Sequence, residues 1–238
     1  MGLKIQKFGN LAVLIDWNLE IGEIDFTSIL SLESYLLNTY PDTILETVVA
    51  YTSLAVYFKE GVKPDDFIER FDMRQVSDCA EEKEYNTWLI PVCYSNEFAP
   101  DISIVAKHNK ISESEVIQLH ASREYLVRFI GFLPGFPYLS GLDHRLFTPR
   151  LSQPRRFIES GSVGIGGEQT GIYTMESPGG WNIIGRSPLQ FFNVMHDPPS
   201  LLVPGDRIQF KSIDPHEYIT VLQQVVEGTY ELEKVRHD

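Results

Sequence analysis

Apolar and polar residues follow different periods along this chain, and each change of period marks an element. Leu3–Phe8 and Ala12–Trp17 carry the two-residue repeat of strands, on either side of Gly9-Asn10, which suits a hairpin turn. Ile24, Ile29, Leu32, Leu36 and Leu37 fall close to helical spacing and predict a helix over Ile24–Tyr40, stopped by Pro41-Asp42. Val48–Tyr51 and Leu54–Phe58 return to the strand pattern, and Pro64–Phe71 starts a helix with proline in its first turn. This alternation predicts a compact α/β domain over residues 1–85, ending in the charged stretch Asp78–Asn86.

A second domain, residues 86–238, opens with a strand at Trp88–Cys93. Two short helices are predicted, Asp101–Lys107 and Glu113–Ala121. The second has Ser112 as N-cap and Glu115 three residues on, a capping box that satisfies free N–H groups of the first turn. From Tyr125 the period falls to two: Tyr125, Val127 and Phe129 alternate with Leu126, Arg128 and Ile130. Beyond that point the helix signal is weak. Short apolar runs parted by glycine and proline predict a closed or partly closed β-barrel.

Composition narrows the class. With 43% hydrophobic and 12% aromatic residues the chain can bury a core, which argues against disorder. It has no apolar run of roughly 18 residues, so no membrane-spanning helix is expected. Met1-Gly2-Leu3-Lys4 leads into a strand pattern without an apolar leader, so no signal peptide is expected. Cys79 and Cys93 fit neither a redox pair nor a zinc site and read as reduced thiols of a cytoplasmic protein. The net charge of −13 argues against nucleic acid or an anionic membrane as a partner, since both attract basic surfaces.

That charge is uneven. Residues 1–90 carry 7 basic and 16 acidic groups, net −9, whereas Gly131–Pro188 carries 5 basic and 4 acidic, net +1. All five basic residues are arginines: Arg145, Arg150, Arg155, Arg156 and Arg186. The planar guanidinium fork matches a carboxylate or phosphate, so the segment reads as a site for an anion. It also holds 11 of the 17 glycines, which suit either tight barrel corners or close approach of a ligand. Gly161–Gly167 lacks the Gly-Lys-Ser/Thr ending of a phosphate-binding loop, and Gln169 stands where a dinucleotide fingerprint needs its third glycine. Ser162 has no glycine two residues before it, so it makes no nucleophile elbow. The histidines show no metal-ligand pairing.

Taken in order, several motifs resemble one family. They are Ile90-Pro-Val-Cys-Tyr94, Leu119-His120, Gly131-Phe-Leu-Pro-Gly-Phe-Pro-Tyr-Leu139, Thr148-Pro-Arg150, Gly161-Ser-Val163, Gln169-Thr-Gly-Ile-Tyr173, Pro178-Gly-Gly-Trp181, Ile184-Gly-Arg186 and Pro204-Gly-Asp206. Their order and spacing resemble the KipI-type family, also called allophanate hydrolase subunit 1 or the B component of prokaryotic 5-oxoprolinase. Ile158-Glu159-Ser160 departs from the family's usual Val-Pro-Ala. The resemblance implies an α+β fold: an N-terminal ferredoxin-like domain followed by a mainly-β, cyclophilin-like barrel. It also implies work in a complex with the C component (KipA-like) and the A component of 5-oxoprolinase, opening 5-oxo-L-proline to L-glutamate with ATP. The nucleotide is then bound with a partner protein, and no cofactor is held tightly. Inhibition of a sensor histidine kinase, or a role in an allophanate or urea amide hydrolase, are the alternatives it leaves open.

Lactam chemistry suggests roles for particular residues. The substrate carboxylate wants an arginine, and phosphoryl transfer wants cations against developing charge. Arg150, Arg155 and Arg186 are candidates for that positive surface, with loop-tying ion pairs as the other reading; Arg145 and Arg156 read as solvent-facing. His120, at the end of a capped helix, is a candidate general acid or base, or a ligand, or a histidine placed by the helix dipole. Gln169 and Tyr173 are candidates to hydrogen-bond the lactam, or else to tie barrel loops. Gly179 and Gly180 bring backbone close to the site. Trp181 after them is either a lid or barrel core. Phe132, Phe136 and Tyr138 read as barrel packing or partner interface.

Overall fold

The computed structural model describes residues 3–19, 26–72 and 85–235. The chain divides into two compact units, residues 1–84 and 85–238.

The first unit holds β1 (Lys4–Phe8), β2 (Ala12–Asp16), α1 (Phe26–Thr39), β3 (Ile44–Val49), β4 (Ser53–Phe58) and α2 (Pro64–Arg70). Gly9, at a φ of +68°, turns β1 back onto β2 with Phe8 opposite Ala12. β4 inserts between β2 and β3, giving the order β1-β2-β4-β3 with every pairing antiparallel. Val13, Ile15, Leu54 and Val56 from the two middle strands and Ile29, Leu32 and Leu36 from α1 are fully buried.

The expected ferredoxin-like domain is not what forms. That fold runs β-α-β-β-α-β, with a helix directly after its first strand. Here the tight turn at Gly9 commits the first strand to a local hairpin, and the described elements run β-β-α-β-β-α. The molecule as a whole is mainly β rather than α+β. β3 also starts earlier than the predicted Val48–Tyr51, because a bulge between Ile44 and Glu46 breaks the alternation there. The predicted start of α1 at Ile24, most of the charged boundary stretch and Cys79 lie outside the described residues.

The second unit contains β5 (Thr87–Cys93), α3 (Ile102–Asn109), α4 (Glu113–Ala121), β6 (Glu124–Ile130), β7 (Pro137–Ser140) and β8 (Arg155–Ile158). It continues with β9 (Ser162–Gly166), β10 (Gln169–Ile172), β11 (Ser177–Gly179), β12 (Asn182–Arg186), β13 (Arg207–Ile213) and α5 (Pro215–Glu227). Seven strands close a barrel in the order β10-β7-β6-β13-β5-β12-β9, while β8 and β11 form a separate ribbon. β5 and β13 run parallel; the other barrel pairings are antiparallel. This closed barrel stands where the resemblance implied a cyclophilin-like one. Ile90, Val127, Leu139, Val163, Ile184 and Phe210 fill its core.

The Ser112–Glu115 box caps α4 as its sequence predicts: the Glu115 amide donates to Ser112 Oγ at 3.2 Å, and the Ser112 amide donates to the Glu115 carboxylate at 2.8 Å. The expectation of little helix beyond Tyr125 fails at α5. Asp214 caps it by accepting from the Glu217 amide at 2.8 Å, Pro215 enters its first turn, and Gly228 ends it at a φ of +70°. Ile219, Thr220, Val221, Val225 and Val226 are β-branched, which makes the segment look strand-like by composition. After α5 the chain runs beside the start of β5, with Leu89 N–H donating to Glu233 O and Val235 N–H to Thr87 O.

Candidate functional site

Three glycines of Gly131–Pro188 make room for aromatic rings. A methyl group on Gly166 would lie 2.5 Å from the Trp181 ring, one on Gly171 would lie 3.0 Å from the Phe136 ring, and one on Gly179 would run into the Tyr173 hydroxyl. Glycine within a strand marks such close approaches. The rings that use this space pack edge-to-face: Phe136 with Tyr173 at 5.3 Å between centroids, Phe136 with Trp181 at 5.5 Å and Tyr138 with Trp181 at 5.8 Å. Buried Phe136, Tyr173 and Trp181 form the floor of a cleft of about 250 Å³. Phe132, Tyr138, Arg150, Pro154, Pro178, Gly179 and Gly180 complete its lining.

Arg150 is the cation of this cleft. Its guanidinium lies 5.8 Å from the centre of the Trp181 ring, within cation–π range. Among the described residues no carboxylate comes within ion-pair distance of it. Burial pushes the Tyr173 phenol up to about 12, against the lowering effect of the nearby Trp181 backbone, so it stays protonated at neutral pH. Burial also raises Tyr138, with Arg150 opposing the shift.

The other arginine candidates are held by carboxylates. Arg155 Nη2 donates to Asp101 Oδ1 at 2.5 Å, and the other oxygen of that buried carboxylate accepts the Ile183 amide at 2.7 Å. Arg186 pairs with Glu159 and donates from Nε to Ser160 O at 2.8 Å. Both line a second depression with Glu97, Phe98 and Ser162, where the acidic groups offset the arginines. Arg145 is half-exposed but grips Asp143, whose carboxyl it holds well below the usual range, helped by Arg123. Arg156 is exposed.

His120 is placed in the barrel core rather than at the cleft. It is fully buried, hydrogen-bonded to Tyr94 and Thr170, and stacked on Phe210 at 4.4 Å between centroids. Burial pushes it down to about 3, so it is neutral near pH 7. Gln169 opens β10 opposite Gly166, outside the lining of the cleft. The structure therefore brings together Arg150, Tyr173, Gly179, Gly180 and Trp181, leaves Arg155 beside them as the cross-strand partner of Gly179 but turned to Asp101, and places His120, Gln169 and Arg186 outside the lining. Phe136 and Tyr138 pack in an aromatic core cluster, as their sequence reads, and with Phe132 they also line the cleft. The signal was in the repeat Gly-Phe-Leu-Pro-Gly-Phe-Pro-Tyr, where small residues alternate with rings. Among the described residues no three His, Cys, Asp or Glu side chains gather as metal ligands, and no helix is long and apolar enough to cross a membrane.

A barrel with an arginine at an aromatic cleft has relatives. The family model for the carboxyltransferase domain, subdomain C and D, matches residues 3–202. A Bacillus subtilis protein, named as the B subunit of 5-oxoprolinase, is 37% identical over 90% of this chain and 95% of its own length. Its Escherichia coli namesake is 47% identical over 61% of this chain and 66% of its own length. Among solved structures, a conserved uncharacterized protein from Pyrococcus horikoshii is 42% identical with a TM-score of 0.55, covering 90% of this chain and 100% of that one. The chain belongs to the carboxyltransferase C and D subdomain family and, within it, to the group of 5-oxoprolinase B components. The word subunit in the names of those relatives makes them parts of larger assemblies.

Proposed function

We propose that this chain is the B component of a 5-oxoprolinase, which opens the lactam of 5-oxo-L-proline to L-glutamate with ATP, together with the A and C components. Kinship to the B components of 5-oxoprolinases supports the reading, and one observation carries it to a place: Arg150 stands without an acidic partner among the described residues, over the aromatic floor of a small cleft. A flat lactam bearing a carboxylate needs one cation and apolar walls. Arg150 takes the carboxylate. Tyr173, a protonated phenol lining the cleft, donates toward the lactam oxygen. Phe136, Tyr138 and Trp181 keep water from the ring.

A triphosphate does not fit the same residues. Among the described residues the cleft has a single guanidinium, without a carboxylate partner, and Gly161–Gly167 has no lysine to meet a phosphate. ATP belongs on this reading to a partner protein, and this chain contributes the half of the site that holds the lactam.

The test is glutamate formation from 5-oxoproline and ATP by the complex reconstituted from all three proteins. Arg150→Ala should lower kcat/KM by about tenfold to a hundredfold, the worth of a hydrogen bond to a charged group. Arg155→Ala and Arg186→Ala should lower the melting temperature of the chain more than the turnover of the assembled complex. Unchanged kcat/KM in Arg150→Ala, with the complex intact, would remove Arg150 from the site.

A further inference from the structure

The chain bends sharply at the rim of the cleft. Leu133 N–H donates to Gly131 O at 2.7 Å, closing a three-residue turn with Phe132 at its centre. Phe132 has a φ of +64°. A three-residue turn of this hand is the rare, strained form, and a bulky side chain in the left-handed region adds to the strain. Two further backbone bonds lock the loop, Phe136 N–H to Leu133 O at 3.0 Å and Gly131 N–H to Phe136 O at 3.1 Å.

What the strained residue does with its side chain is also unusual. Phe132 touches Phe136 and Tyr173 edge-on, at 5.5 and 6.2 Å between centroids, yet 59% of it is exposed. Glycine would satisfy the backbone without strain, and the barrel core does not need a ring left largely in water. The exposed ring lines the same cleft as Arg150 and Trp181. Strain held at a ligand-facing position points to function rather than folding.

We propose that Phe132 is a specificity-determining residue of the cleft: its strained turn presents the ring as a wall that stacks on a flat lactam, while Arg150 holds the carboxylate. The inference rests on the lactam reading above and adds to it the group that selects a planar ring. It separates stability from recognition. Phe132→Gly removes both the strain and the wall, so it should leave the melting temperature of the chain equal or higher. The KM of the complex for 5-oxoproline should rise by up to about tenfold, the worth of one aromatic contact, with kcat little changed. Phe132→Tyr, which keeps the ring, should hold the wild-type KM.

An unchanged KM in Phe132→Gly overturns the proposal. So does a raised KM that returns to the wild-type value when the partner proteins are supplied in excess, because the ring is then a docking residue. A wild-type complex that forms no glutamate sinks the proposed reaction instead. Binding of 5-oxoproline to that complex, followed by ligand-observed NMR, then decides the wall on its own. A weaker signal with Phe132→Gly than with wild type supports it, and equal signals, or none with either protein, overturn it.

Discussion

His120 shows how far one residue's surroundings decide its chemistry. Thr170 Oγ1 donates to Gly164 O at 3.0 Å, so it accepts from His120 Nε2 at 3.1 Å. His120 Nδ1 is then left to accept the Tyr94 hydroxyl at 2.8 Å, which fixes the tautomer with its proton on Nε2. Both ring nitrogens are satisfied in the neutral form, and a general acid or base working near neutral pH is not what this burial produces. The consequence is one of stability. The folded value, about 3, lies below the ordinary value near ~6.5. The unfolded chain therefore takes up the proton first, and His120 contributes stability that is present above about pH 6.5 and drains as pH falls toward 3. Urea denaturation between those limits should show a slope of up to about 1.4 kcal/mol per pH unit from this group. His120→Gln should be less stable at neutral pH but should lose that part of the slope; an identical slope in the variant would sink the assignment. Asp143 acts in a lower window. Its carboxyl is held below the usual range by Arg145 and Arg123, so its contribution drains only below about pH 4.

At the level of elements, strand β9 makes room for the floor of the site. Its sequence, Ser-Val-Gly-Ile-Gly, is a poor strand by propensity, and its glycines are there because Trp181 of the neighbouring segment needs the room. Gly166→Ala should cost about 1–3 kcal/mol by overpacking and displace the Trp181 ring, seen as a change in tryptophan emission together with weaker 5-oxoproline binding. Gly180→Ala, whose methyl would meet nothing closer than 3.7 Å, should be near neutral in stability. Equal effects of the two substitutions would show that ring packing is not what β9 provides. This is also where sequence reading reaches its limit. Elements specified locally were legible: the hairpin at Gly9, the capping box of α4 and the start of β6, where Tyr125 and Val127 are buried before a bulge breaks the two-residue period ahead of Phe129. α5 was hidden by its β-branched residues, although Asp214, Pro215, Glu217 and Gly228 mark both its ends. The site was half legible. Arginine among glycines pointed to the right segment, but Arg150, Arg155 and Arg186 look alike in sequence. Only Asp101, far away in the chain, and Glu159 separate the tied arginines from the one left without a carboxylate among the described residues.

At the scale of the molecule, barrel closure depends on chain that the family match does not reach. The match ends at residue 202, yet β13 lies beyond it and fills the gap between β5 and β6. β13 pairs with β5 along its whole length, from Arg207 opposite Thr87 to Ile213 opposite Cys93, and buries Ile208 and Phe210 in the core. Asp206, just before it, accepts from the Asn86 amide at 3.1 Å, the Trp88 indole at 3.3 Å and the Val203 amide at 3.1 Å, so one carboxylate ties the start of β5 to the start of β13. Without β13, two barrel strands would present bare edges, and the core would open along the seam between them. A fragment of residues 85–238 should therefore unfold cooperatively, with the sharp near-ultraviolet signal of packed aromatic rings, while residues 85–202 should not. A cooperative melt of the shorter fragment would show that the matched part closes without β13. Failure of the longer one would show that the barrel unit is not stable apart from residues 1–84. If the prediction holds, the cleft of Arg150 and Trp181, built wholly from residues 132–181, still needs the last strand of the chain, because the barrel beneath it closes only when β13 is in place.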